Sequence, residues 1–212
     1  MKLYRRIKEL LSRHDKGKKL DTKFSFPFSQ NKEIRKNQIL ENLQKGLLLE
    51  DKRVLISWLT PFNQVDKYKE ERRDSGDRTE WFLGNQTVLD GYKCRPEIMM
   101  WTYLPWTNPI TEITGDLGIE EEGMKNFYLL KEHLSDRLGE PHNTDLKKWG
   151  DFDLGTIEWS FGKIKIVLVG IEHFSCKYSF SIGLKEDKNR EYFDKAIENL
   201  KASGLTEEEM GK

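Results

Sequence analysis

The stretch TIEWSFGKIKIVLVGIEHFSCKYSFSIGL, Thr156 to Leu184, decides the fold. It divides into three runs of alternating character separated by turn signals, which is the pattern of an antiparallel meander. In the first run Ile157, Trp159 and Phe161 share one face, while Thr156, Glu158 and Ser160 share the other. In the third, Cys176, Tyr178, Phe180, Ile182 and Leu184 alternate with Lys177, Ser179, Ser181 and Gly183. The middle run places Val167, Leu168, Val169 and Ile171 on both faces, the mark of a central strand largely covered on each side.

Helical patterns flank the meander. Phe127, Leu130, Leu134 and Leu138 form the stripe of a helix over about 120–138 that should pack on the strands. Glu120, Glu121 and Glu122 complement the positive end of its dipole, and Gly139 followed by Pro141 marks its stop. A second amphipathic helix is predicted over 190–200, with Phe193, Ala196, Ile197 and Leu200 inward. Fold class follows as α+β: a mostly antiparallel sheet with helices on one face, closed by a helix–meander–helix unit.

Upstream signals are shorter. Phe24, Phe26 and Phe28 alternate with polar residues, as in an edge strand interrupted by Pro27. Asn31 is placed to cap a helix over about 32–46, with Ile39, Leu40, Leu43 and Leu47 apolar and Gly46 at its end. The run VLISWLTPF (54–62) reads as extended chain leading into a short helix, and the charged stretch 67–78 as a solvent-facing segment ending in a turn. Residues 79–83 and 87–89 are predicted to form a hairpin about Gly84-Asn85-Gln86. Residues 97–106 are a further strand, and 110–114 an extension of the sheet. The organisation is then a basic helical arm over 1–20, one α+β domain over 21–205 and an acidic tail over 206–212.

Composition narrows the function classes. With 36 basic and 36 acidic residues the net charge is zero, which argues against a dedicated nucleic-acid binder. Eleven Phe and six Trp supply the bulk of a real core. No apolar run reaches the length of a membrane span, and the first residues lack a secretory h-region. Two cysteines, Cys94 and Cys176, make no disulfide framework, so a cytoplasmic location is expected.

Motif chemistry is sparse. There is no GxGxxG, no GxxxxGK[ST], no GxSxG, no HExxH and no CxxC. A metal centre, with hydrolase chemistry, would need His133, His142 and His173 to converge with Glu172 if the 120–138 helix lay over the sheet. Cys94 beside His142 or His173 is the one conceivable nucleophilic pair. No cofactor is expected.

Two features point toward binding instead. Lys2, Arg5, Arg6, Lys8, Arg13, Lys16, Lys18 and Lys19 make the N-terminal arm basic, suited to an anionic lipid surface, to nucleic acid or simply to packing on its own domain. Aromatic and acidic groups suit a protein partner: Trp106, Trp149 and Trp81 beside Arg78 as anchors, and Glu112, Asp116, Glu120, Glu121 and Glu122 as a patch for a basic surface. Trp58, Trp101 and Trp159 are assigned to the core. The leading expectation is a non-enzymatic protein-binding module of bacterial type, in one version an immunity- or antitoxin-like protein that occludes a partner's active site.

Overall fold

The computed structural model describes residues 23–76, 78–101, 104 and 106–186. The basic N-terminal helix, the helix expected over 190–200 and the acidic tail lie outside these residues. The described chain begins extended and has no strand at Phe24–Phe28, contrary to expectation. A strand-like pairing is supplied there by a side chain. Asn42 accepts from Ser25 N at 2.9 Å and donates to Ser25 O at 3.0 Å, so its buried amide stands in for a neighbouring backbone.

Helix α1 (Lys32–Lys45) is capped as predicted: Asn31 Oδ1 accepts from the amides of Glu33 and Ile34. It ends because the chain runs straight into strand β1 (Gly46–Leu49), which pairs with β2 (Val54–Ser57). Gly46 is extended here and serves close approach, since a Cβ would lie 2.0 Å from Ile56 O. A 3-10 segment, Phe62–Lys67, follows.

The remaining strands are β3 (Glu71–Asp74), β4 (Arg78–Phe82), β5 (Gln86–Val88), β6 (Tyr92–Cys94), β7 (Pro96–Trp101) and β8 (Glu112–Ile119). Helix α2 (Glu120–Leu138) then leads to β9 (Asn143–Trp149), β10 (Phe152–Phe161), β11 (Ile164–His173) and β12 (Ser175–Leu184). Eight strands form one antiparallel sheet in the order β3-β4-β7-β8-β12-β11-β10-β9. The α+β reading and the meander hold, with Ile157–Leu168 and Leu168–Phe180 as matched cross-strand positions.

Two local expectations fail over pairing, and one strand carries no sequence signal. The hairpin over 79–92 does not exist: β4 pairs with β3 and β7, while β5 turns back on β6 through Leu89, Asp90 and Gly91, all at positive φ. The charged stretch at 67–78 contains edge strand β3, whose ERRD sequence carries no hydrophobic alternation. Strand β9 also escapes the sequence pattern, because six of its seven residues are exposed.

One sheet face carries the core. Phe127, Leu130, Leu134 and Leu138 of α2 are buried as predicted, in one cluster with Ile157, Trp159, Leu168, Tyr178 and Phe180. Burying each such side chain is worth roughly 1.5–3 kcal/mol. Trp81 joins them: it is fully buried, stacked on Phe62, with Nε1 donating to Asp66 at 2.7 Å. Trp58 and Trp159 are core, as the sequence predicts.

Candidate interaction surface

The strand registers place a second set of side chains on the opposite face of the sheet. Pairing Arg78 with Trp101, Glu80 with Met99 and Phe82 with Glu97 starts this face at the β4–β7 end. It continues through Thr114 and Asp116, then Ser181 and Ser179, then Val167 and Val169, and reaches Glu158 and Thr156 on β10. Leu154 with Lys147 and Phe152 with Trp149 close it at β9.

Antiparallel sheets commonly leave one face to solvent, but such a face is ordinarily polar. Here Ile171 is 52 % exposed, Trp149 61 % and Met99 38 %, with Val167 and Val169 half-buried, while Phe152 and Leu154 pack against the core cluster. The expectation that β11 is covered on both sides is therefore corrected. Its Ile164, Ile166 and Leu168 meet the core, while Val167, Val169 and Ile171 share the open face with the serines of β12. Trp101, expected in the core, also lies on this open face because it falls in phase with Met99 rather than with buried Met100. At the tip of the β11–β12 turn, Phe174 is 96 % exposed with φ +62.

Charges on the β4–β7–β8 part of this face are ordered. Arg78 Nε lies 2.7 Å from Glu80 Oε1, and Thr114 Oγ1 donates to Glu97 Oε1 at 3.1 Å. Partial burial, together with the like charges of Glu80 and Asp116, raises Glu97 above the usual carboxylate range. Asp116 Oδ1 accepts from Gly118 N at 2.8 Å, and Glu112 is exposed farther along the same face of β8.

The site residues expected from the sequence are thereby divided. Trp149, Glu112, Asp116 and Arg78 fall on the open face. Glu120, Glu121 and Glu122 open α2 in the other layer, with Glu120 Oε1 accepting from Cys176 N at 3.3 Å. Trp81 is withdrawn as an anchor, since strand alternation puts it on the opposite face from Arg78. The arginine that meets it is Arg72, which lies 4.9 Å above half-buried Trp106 and 5.9 Å from the Trp81 ring. Sequence reasoning misses Met99, Ile171, Glu80 and Glu97 as surface members. Only their phase relative to Trp101 and Ser179 could signal them.

His133 and His142 do not converge, and the side chain of His173 lies outside the described residues. His142 Nδ1 accepts from Ser160 N at 3.1 Å, and Ser160 pairs with Lys165 at one end of β11. Glu172 lies seven residues farther along that strand, roughly 23 Å at 3.3 Å per residue. His133 is elsewhere, on α2, with Nε2 donating to Leu89 O at 2.8 Å and its ring against Tyr92. No group of three His, Cys, Asp or Glu among the described residues could hold a metal ion. Cys94 is a poor nucleophile: burial, helped by Glu50, pushes its thiol up to about 12.

His133 instead belongs to a cluster that locks the β5–β6 turn to the helices. Arg137 Nε lies 2.6 Å from Asp90 Oδ2 and Arg35 Nη1 lies 3.4 Å from it, while Asp90 N donates to Glu50 Oε1 at 2.6 Å. Burial, reinforced by Arg137, holds His133 below its ordinary value against the opposing pull of Leu89 O, Asp90 and Asp136. The unfolded chain therefore takes up this proton first as the pH falls. Stability contributed by neutral His133 is complete above about pH 6.5 and lost as pH falls from there toward the folded value. Urea midpoints at pH 7.5 and 5.5 should show this loss, and His133→Gln should reduce it. An equal pH dependence in the variant removes His133 as its source.

A cavity of about 510 Å³ lies between α1 and the β10–β11 turn, lined by Gln44, Trp58, Gly162, Lys163 and Lys185 among others, where the described chain ends at Glu186. No helix among the described residues is long and apolar enough to cross a membrane. The fold is that of an α+β protein with an eight-stranded antiparallel sheet whose core lies on one side. No protein-family model matches the chain, and no curated protein or solved structure matches it.

Proposed function

We propose that the protein is a non-enzymatic binding module whose open sheet face receives another protein. The observation that carries the reading is the exposure of Met99 on β7 and Ile171 on β11 on one sheet face, with Glu112 and Asp116 on β8 between those strands and Glu80 and Glu97 beside Met99. A rigid face with apolar anchors and a charged surround is the anatomy of a specific interface. The acids Glu97, Glu112 and Asp116 on β7 and β8 favour basic side chains on the part of a partner that meets these strands, and this charge would speed association. An immunity- or antitoxin-like role, in which the face caps a partner's active site, is one specific form of this reading.

The test compares capture by the tagged full chain with capture by variants. Ile171→Asp and Met99→Glu should lose a stoichiometric partner, whereas Leu129→Glu on the exposed side of α2 should keep it. Glu112→Gln with Asp116→Asn should weaken binding, most strongly at low salt. The change at Asp116 removes charge without a folding lesion, because an amide oxygen there still accepts from Gly118 N. A partner retained equally by all variants would move the interface off this face, and the proposal with it.

A further inference from the structure

We propose that β9 is a self-association edge, at which two copies of the chain join antiparallel about a two-fold axis at Leu146. This pairing does not depend on what the open face binds. Among the described residues β9 ends the eight-stranded sheet and has β10 as its strand partner, leaving its outer edge unpaired.

The two ends of the sheet are built differently. Edge strand β3 has four residues, and its charges are tied up locally: Arg72 with Asp74 at 2.9 Å and Arg73 with Glu71 at 2.6 Å. Short, charged strands of this kind resist further pairing. Strand β9 has seven residues, NTDLKKW, contains no proline and is exposed everywhere except at half-buried Leu146. An edge of that length, with no proline and with its outer side unpaired among the described residues, is a template for a strand whose charges complement its own.

The charge sequence selects both the occupant and the register. With the axis at Leu146, Asp145 stands opposite the partner's Lys147, and Lys147 opposite the partner's Asp145. Both pairs lie on the open face, where Asp145 and Lys147 already alternate with the core-facing Thr144, Leu146 and Lys148. Leu146 meets its own copy, and Asn143 meets the partner's Trp149. Moving the axis one residue either way sets Asp145 against itself or Lys147 against itself, and directly opposed like charges are destabilising. An axis between residues would oppose the two faces and is excluded by the pleat. A second copy of this chain is thus complementary to β9 in one register. The resulting dimer carries both open faces on the same side of one continuous sheet.

Sedimentation equilibrium of the full chain tests this, with circular dichroism to verify folding. The 25.1 kDa chain is expected to form a dimer. Asp145→Lys and Lys147→Asp should each raise its dissociation constant roughly tenfold, from two opposed like-charge pairs. The double exchange D145K/K147D should restore it, and an equimolar mixture of the two single variants should form a heterodimer tighter than either homodimer. A wild-type chain that stays monomeric overturns the proposal, and Lys147 and Lys148 then act as edge guards. A dimer indifferent to the single substitutions, or not restored by the exchange, overturns it equally by placing the contact elsewhere. Loss of dimer with partner capture retained, or the reverse, separates this inference from the binding function.

Discussion

Trp159→Ala is expected to destabilise the fold by about 3–5 kcal/mol, near the top of the range for a core truncation. Trp159 is fully buried on β10, opposite Ile166 of β11, and lies beneath the end of α2. Its Nε1 donates to Gly139 O at 2.8 Å, so the same side chain fills the core and satisfies a carbonyl at the helix terminus. Alanine leaves a cavity and an orphaned acceptor together. Trp159→Phe retains most of the volume and loses the hydrogen bond, so it should cost about 1–2 kcal/mol. Urea unfolding at pH 7.5 measures both. Since small domains are stable by only about 5–15 kcal/mol, the alanine variant should lose a large share of that margin. Equal losses for alanine and phenylalanine would assign the whole effect to the hydrogen bond.

Gly123→Ala is the second large effect, and its sign is the informative part. Gly123 lies inside α2, where helix propensity alone predicts that alanine stabilises by about 1 kcal/mol. The tertiary contact predicts the reverse. A Cβ at Gly123 would lie 2.4 Å from Gly118 O and 2.8 Å from Tyr178 Cδ2. The first is backbone of β8 one residue before its end, held with Gly118 at φ +103, and the second belongs to a buried ring packed edge-on against Phe127. Neither can give way locally. Overpacking of this kind costs about 1–3 kcal/mol and should exceed the propensity gain. A lowered urea midpoint is the expected result; a raised one would mean that α2 stands off the sheet at its first turns.

These residues also show what is legible in advance. The stripe Phe127, Leu130, Leu134, Leu138 and the alternation of β10 and β12 are readable because each has a single buried face, and period alone reports which residues share it. The cap at Asn31 is readable because capping is local. Strand partners are not. Residues 79–83 pair with 71–74 and 96–101 rather than with 87–89, a choice set by how distant segments cover the core. Trp81 shows the same limit, because its neighbour in sequence, Arg78, faces the other way while distant Phe62 and Asp66 enclose it. Of the candidate site, Trp149, Glu112, Asp116 and Arg78 reach one surface, and His142 is separated from Glu172 by most of the length of β11.

By itself the sequence determined the α+β class, the meander, the positions of α1 and α2 and the absence of familiar catalytic motifs. These rest on local dihedral preference and hydrophobic period, which act within a few residues. Only the tertiary structure decided that, among the described residues, β3 and β9 are the sheet edges, that α2 covers one face, and that Val167, Val169 and Ile171 are left on the other. Burial of a strand's second face depends on whether another layer lies over it, and that is a property of the assembled sheet rather than of the strand.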